Sequence, residues 1–159
     1  MSVYERSTRV EAPLSAVWDF HSTEDGLVEL TPDWMGLQVE AVRGPDGDPD
    51  PELLYEGSEI DVSVRPLGLA PRQSWTSRIV ERRAEEESAR FVDEMVAGPF
   101  AAWEHTHTFR AAGDGTLLED RVEYRLPGGR LGGAVGPAAV VGFEPMFRYR
   151  HRRTRALLE

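Results

Sequence analysis

The chain has 159 residues, 40% of them hydrophobic, with no cysteine and a formal net charge of -10. That length is enough for one domain with a substantial core, read here as residues 1–159. The missing thiols exclude disulfides, cysteine nucleophiles and thiolate metal sites, and the acidic balance argues against a nucleic-acid partner.

Ser2–Val10 mixes β-branched and aromatic residues with charges and reads as a first strand. Pro13 suits a helix start, and Leu14, Val17, Trp18 and Phe20 follow at helical spacing, so Ala12–His21 is a short helix. Asp25–Leu30 makes a second short helix, stopped near Pro32. Leu37–Val42 is the next strand, and Gly44–Glu52 (GPDGDPDPE) is an acidic, solvated loop. Ser58–Arg65 alternates, with Ile60, Val62 and Val64 on one face. Pro66–Pro71 (PLGLAP) is a turn, with a small lid as the alternative.

Gln73–Arg83 follows as a strand with Trp75, Ser77 and Ile79 on one side. After a polar turn, Ser88–Val96 places Phe91, Asp93 and Met95 on one face. Gly98-Pro99 turns the chain into Trp103–Arg110, where Trp103, His105, His107 and Phe109 share a face at spacing two. Ala111–Gly115 closes a hairpin into Thr116–Leu126, whose inner face carries Leu118, Asp120, Val122 and Tyr124. The glycines of Pro127–Gly136 read as a pivot rather than an anion-binding loop. Pro137–Leu158 is then one long helix carrying Phe143, Phe147 and His151, and its basic end suits the negative end of the helix dipole.

Segregated helices and hairpin-connected strands mean α+β, with the long helix as the only large element able to cover the sheet. No apolar run approaches the roughly 20 residues of a membrane span. The N-terminus has no apolar signal region, so the expected compartment is the cytoplasm. All 18 basic residues are Arg, with no Lys. An acidic, lysine-free surface fits a halophilic protein, because 1 M salt screens charges within about 3 Å. A GC-rich genome would favour Arg as well.

Phe91–Phe109, Gly115–Pro127, Phe147–Leu158 and the early VEAPLSAVWDF together resemble the SRPBCC superfamily, also called START-like or helix-grip, and within it the uncharacterised polyketide cyclase/dehydrase-like branch. The resemblance implies a curved antiparallel sheet of about seven strands around a long C-terminal helix, with two short helices after the first strand. It also implies a cavity between sheet and helix that holds a small hydrophobic molecule, such as a lipid, isoprenoid or polyketide. Members include carriers, receptors and cyclases, so the fold alone does not choose among them.

Pairing Phe109 with Leu118 sets His107 opposite Asp120, His105 opposite Val122 and Trp103 opposite Tyr124, at about 4.5–5.5 Å between Cβ atoms. A similar register across Gly98-Pro99 puts Asp93 beside His105. Three readings of this band stay open. A satisfied polar network is the plain one. An acid–base pair, His107 oriented by Asp120 with His105 and Asp93 assisting, is the equipment of a cyclase or dehydratase. A metal site is the third, but no HExxH or comparable ligand set accompanies the two histidines, so neither metal nor cofactor is expected. Trp75, Phe91, Trp103, Tyr124, Phe143 and Phe147 are the aromatic candidates for lining a ligand cavity, together with the four polar residues. The functions to separate are a hydrophobic-ligand binder, an acid–base enzyme, and a protein-interaction module whose core is filled and dry.

Overall fold

The computed structural model describes residues 1–69, 71–136 and 140–159. Its elements run β1 (Ser2–Val10), α1 (Leu14–His21), α2 (Glu24–Glu29), β2 (Gln38–Arg43), β3 (Glu59–Val64), β4 (Gln73–Ala84), β5 (Ser88–Ala97), β6 (Ala102–Ala112), β7 (Gly115–Arg125), α3 (Gly129–Val135) and α4 (Val140–Leu158). Short 3₁₀ turns occupy Asp33–Met35 and Pro66–Gly68.

The strands form one antiparallel seven-stranded sheet in the order β1-β7-β6-β5-β4-β3-β2. From β2 to β7 each strand pairs with its successor, and only β1 leaves chain order to join β7. Register shifts interrupt β4 at Thr76/Ser77 and Ile79/Glu81, and β2 at Val39/Ala41. Such irregularities bend and twist a strand, which lets the sheet curl around a helix. This is an α+β helix-grip fold.

Alternation decides which side chains go inward. Along β7, Leu118, Asp120, Val122 and Tyr124 are buried, and the residues between them are half-buried. Along β6, His105, His107 and Phe109 take the same role. At one end of the sheet Val10, Val17, Phe109 and Leu118 pack together, with Trp18 and Leu158 against them. At the other end Tyr4, Val122 and Tyr124 meet Phe143 and Phe147 of α4. A third cluster, with Val42, Ile60, Val62 and Ile79, lies along β2, β3 and β4. Tyr4 also donates to Glu144 Oε2 (2.6 Å), which ties α4 to β1.

One difference from the sequence reading concerns the C-terminal third. The stretch expected to be a pivot contains the short helix α3, and Gly132 explains why the segment can pack so closely. A Cβ there would lie 2.2 Å from the Pro127 carbonyl oxygen. The long helix was expected from Pro137; residues 137–139 lie outside the described ones, and α4 is described from Val140. Of the PLGLAP stretch, Pro66–Gly68 is the turn and Ala70 lies outside the described residues. No helix among the described residues is long and apolar enough to cross a membrane.

The α1–α2 corner depends on one glycine. A Cβ on Gly26 would sit 2.2 Å from the Phe20 carbonyl oxygen, a backbone atom that cannot swing away. Gly26→Ala should therefore lower stability by roughly 1–3 kcal/mol. A lower denaturant midpoint at unchanged slope would show this; an unchanged midpoint would mean that the corner relaxes freely.

Candidate functional site

A cavity of about 560 Å³ lies between the curled sheet, the α1–α2 corner and α4. Its wall is mostly apolar, supplied by residues such as Leu30, Ile60, Val62, Trp75, Phe143 and Phe147. Trp34 lines it too and is 43% exposed, so this indole stands at the mouth. The ionisable groups on the wall are Asp93, His105, His107, His21 and Arg150.

The inner faces of three adjacent strands build the His–Asp cluster. Asp93 of β5 pairs with His105 of β6, and His107 pairs with Asp120 of β7. Phe109 opposes Leu118 and Trp103 opposes Tyr124, the register expected from the hairpin. The hydrogen bonds, however, run diagonally to that register. His105 Nε2 donates to Asp120 Oδ1 (2.7 Å), and His107 Nε2 donates to Asp93 Oδ2 (3.1 Å). His107 Nδ1 lies 3.2 Å from Asp120 Oδ1 but off the hydrogen-bond direction. Ser77 of β4 donates to the other oxygen of Asp93 (3.0 Å). From α4, His151 Nε2 donates to Asp120 Oδ2 (2.5 Å). The two β6 imidazoles lie with centroids 3.7 Å apart, and Phe91 stacks on His107 at 3.8 Å.

These contacts set the protonation states. Burial opposes charge on Asp120, but the imidazoles of His105, His107 and His151 outweigh it and hold this carboxyl well below its usual range. Asp93 is likewise held low against its burial, chiefly by His107. His107 is buried too, yet the carboxylates of Asp120 and Asp93 raise its pKa. His105 goes the other way: burial and the neighbouring His107 outweigh Asp120 and Asp93 and lower it. His21 is pushed down to about 3, mainly by burial, and donates from Nδ1 to the Val17 carbonyl. Two adjacent imidazoles on one wall are thus driven apart, one toward the acid form and one toward the base form.

Of the residues expected at a ligand site, Trp75, Phe91, Asp93, Trp103, His105, His107, Phe143 and Phe147 line the cavity. Asp120 and Tyr124 stand behind that wall: Asp120 is 2% exposed beneath the histidines, and Tyr124 is fully buried, donating to the Gly136 carbonyl (2.7 Å). The expected pair of His107 with Asp120 exists as a contact, but the aligned partners of Asp120 are His105 and His151. Arg150 was not singled out in the sequence. The signal available was its place on the helix face of Phe143, Met146, Phe147 and Thr154, as the one charge among them.

Asp93, His105 and His107 each offer one potential ligand atom to a metal ion, all within 4.8 Å of one another. The Asp93 oxygen is already engaged by His107, and the Arg150 cation acts on both carboxylates, so positive charge is in place beside them.

Residues 10–140 match the sequence model of the family described as polyketide cyclase/dehydrase and lipid transport. The chain belongs to this family. As a polyketide cyclase/dehydrase-like protein of the SRPBCC, START-like type, it resembles many solved structures. One is a protein from Chromobacterium violaceum, with 16% identity and a TM-score of 0.69 over 100% of this chain and 99% of that one. Another is a START superfamily protein from Mycobacterium smegmatis, with 19% identity and a TM-score of 0.62 over 98% of both chains. A third is norcoclaurine synthase from Thalictrum flavum in complex with dopamine and hydroxybenzaldehyde, with 17% identity and a TM-score of 0.66 over 99% of this chain and 86% of that one. At these identities the likeness establishes the fold. Comparison with curated proteins finds no match.

Proposed function

We propose that this family member binds a small hydrophobic molecule in the cavity between its sheet and α4. The observation that carries the reading is the cavity itself, about 560 Å³ and walled mainly by apolar side chains. A space of that size suits a drug-sized apolar molecule, and it argues against an interaction module with a filled core. The norcoclaurine synthase complex supports the idea that this fold can hold small aromatic molecules.

Native mass spectrometry of the purified protein, before and after solvent extraction, tests this together with titration by 1-decanol. Saturable binding should appear, and Met146→Trp, which pushes an indole into the cavity wall, should weaken it by about tenfold, roughly 1.4 kcal/mol. No adduct and no saturable decanol binding would remove the reading.

A second reading is favoured by one specific observation, the opposed shifts of His105 and His107 on the cavity wall. In it, protonated His107 is the general acid and neutral His105 the general base for an enolisable carbonyl compound. Deuterium exchange of the methyl protons of 2-acetonaphthone in D₂O is the assay. The protein should speed exchange, and His107→Gln should lower the rate by about 10²-fold. Exchange at the buffer rate, or equal rates for both proteins, would leave binding as the whole function.

A further inference from the structure

Arg150 is the charged group in the cavity that the hydrogen-bond network does not account for. It projects from α4 on the face of Phe143 and Phe147 and lines the cavity beside the His–Asp cluster. A guanidinium has five N–H donors in a planar fork. Among the described residues none of them makes a hydrogen bond or ion pair; the nearest recorded partner is the Phe147 ring, 6.0 Å away. The two carboxylates close enough to act on it, Asp93 and Asp120, are spoken for. Asp93 accepts from His107 and Ser77, and Asp120 accepts from His105 and His151.

Arg43 is held by Asp61 and Arg153 by Glu29. Among the described residues Arg150 has no such carboxylate partner, and it is the arginine that lines the cavity. Burial works against its charge, as its lowered pKa reflects. An arginine stays protonated even so, and its donors have no protein partner among the described residues at the cavity wall. A bound anion would meet both needs.

We infer that Arg150 is the anchor for an anionic group on the ligand, so that the cavity takes an amphiphilic monoanion: an apolar body with one carboxylate at its His–Asp end. The planar fork matches a carboxylate in two parallel hydrogen bonds. A single negative charge is preferred, because Asp93 and Asp120 stand near the same end and repel a second. The inference rests on the proposed cavity-binding function and specifies its ligand class.

Isothermal titration with decanoate and with 1-decanol at pH 8 is the test. The two probes share an apolar chain and differ in charge. The wild-type protein should bind decanoate at least about tenfold more tightly than decanol. Arg150→Gln should still bind decanol, which reports its folding, and should lose the preference for decanoate. Arg150→Met, of similar length and without a donor, gives the same readout where the Gln variant does not fold. Equal affinity for the two probes in the wild type, or a preference that survives in the variants, overturns the inference and leaves the cavity function standing. Failure of both probes to bind overturns both.

Discussion

Asp120→Ala should cost the fold about 3–5 kcal/mol, the range for breaking a buried charged pair from one side. This carboxylate is 2% exposed and sits where three imidazoles converge. His105 on β6 and His151 on α4 donate to its two oxygens at 2.7 and 2.5 Å, with His107 Nδ1 3.2 Å from the first. Removing it strands donors on two elements and cuts a polar link between α4 and the sheet. A truncated methyl in its place leaves a cavity as well. Asp120→Asn should fall between the two, since its amide oxygen can take one imidazole while its NH₂ faces the others. Urea unfolding of wild type, both variants, His151→Ala and the double variant His151→Ala/Asp120→Ala gives the loss and the coupling. A loss below about 1 kcal/mol for Asp120→Ala would show that the network is incidental to stability.

Much of this site was legible in the sequence because short-range rules govern it. The turns at Gly98-Pro99 and at Gly113 and Asp114 set the register of β5, β6 and β7. Period-two alternation then placed Asp93, His105, His107 and Asp120 on one face. The element boundaries followed from the same signals, to within a residue or two for most strands. Hydrogen-bond partners did not follow. Register fixes Cα positions, whereas an imidazole leans along its strand, so Asp120 bonds its diagonal neighbour His105 more closely than His107 across from it. The contributions of α4 were further out of reach. Whether His151 meets Asp120, and whether Arg150 enters the cavity, depends on the rotation of a helix packed far along the chain from β6 and β7. The Asp33–Met35 turn is three residues of 3₁₀ helix, too short for any period to reveal.

Stability should fall as the pH drops from about 6.5 toward 3, because His21 is held neutral in the fold. His21 is buried, its Nδ1 donates to the Val17 carbonyl (2.8 Å), and the Phe109 ring lies 5.0 Å away. Arg150 and His107 oppose a second proton on it, and Asp120 favours one only weakly. Its pKa in the fold is therefore about 3, against an ordinary value of 6.5. A base held neutral in the native state binds its proton first in the unfolded state, so unfolding gains as acid is added. The stabilisation is complete above 6.5 and is lost progressively down to about 3, up to about 5 kcal/mol in all. His105, also lowered, adds with the same sign. His107 has the opposite sign: its raised pKa stabilises below its unfolded value and that contribution is lost as pH rises through the folded one. Asp93 and Asp120 enter only in stronger acid, as pH falls below the ordinary 3.8. Between pH 6.5 and 4.5 the carboxylates are thus silent, and the slope belongs to the histidines. His21→Gln keeps a donor for Val17 and removes the proton site. It should be less stable than wild type at pH 7 yet show a clearly shallower slope in urea midpoints across that interval. A slope equal to that of the wild type would mean that His21 takes up its proton without leaving the fold.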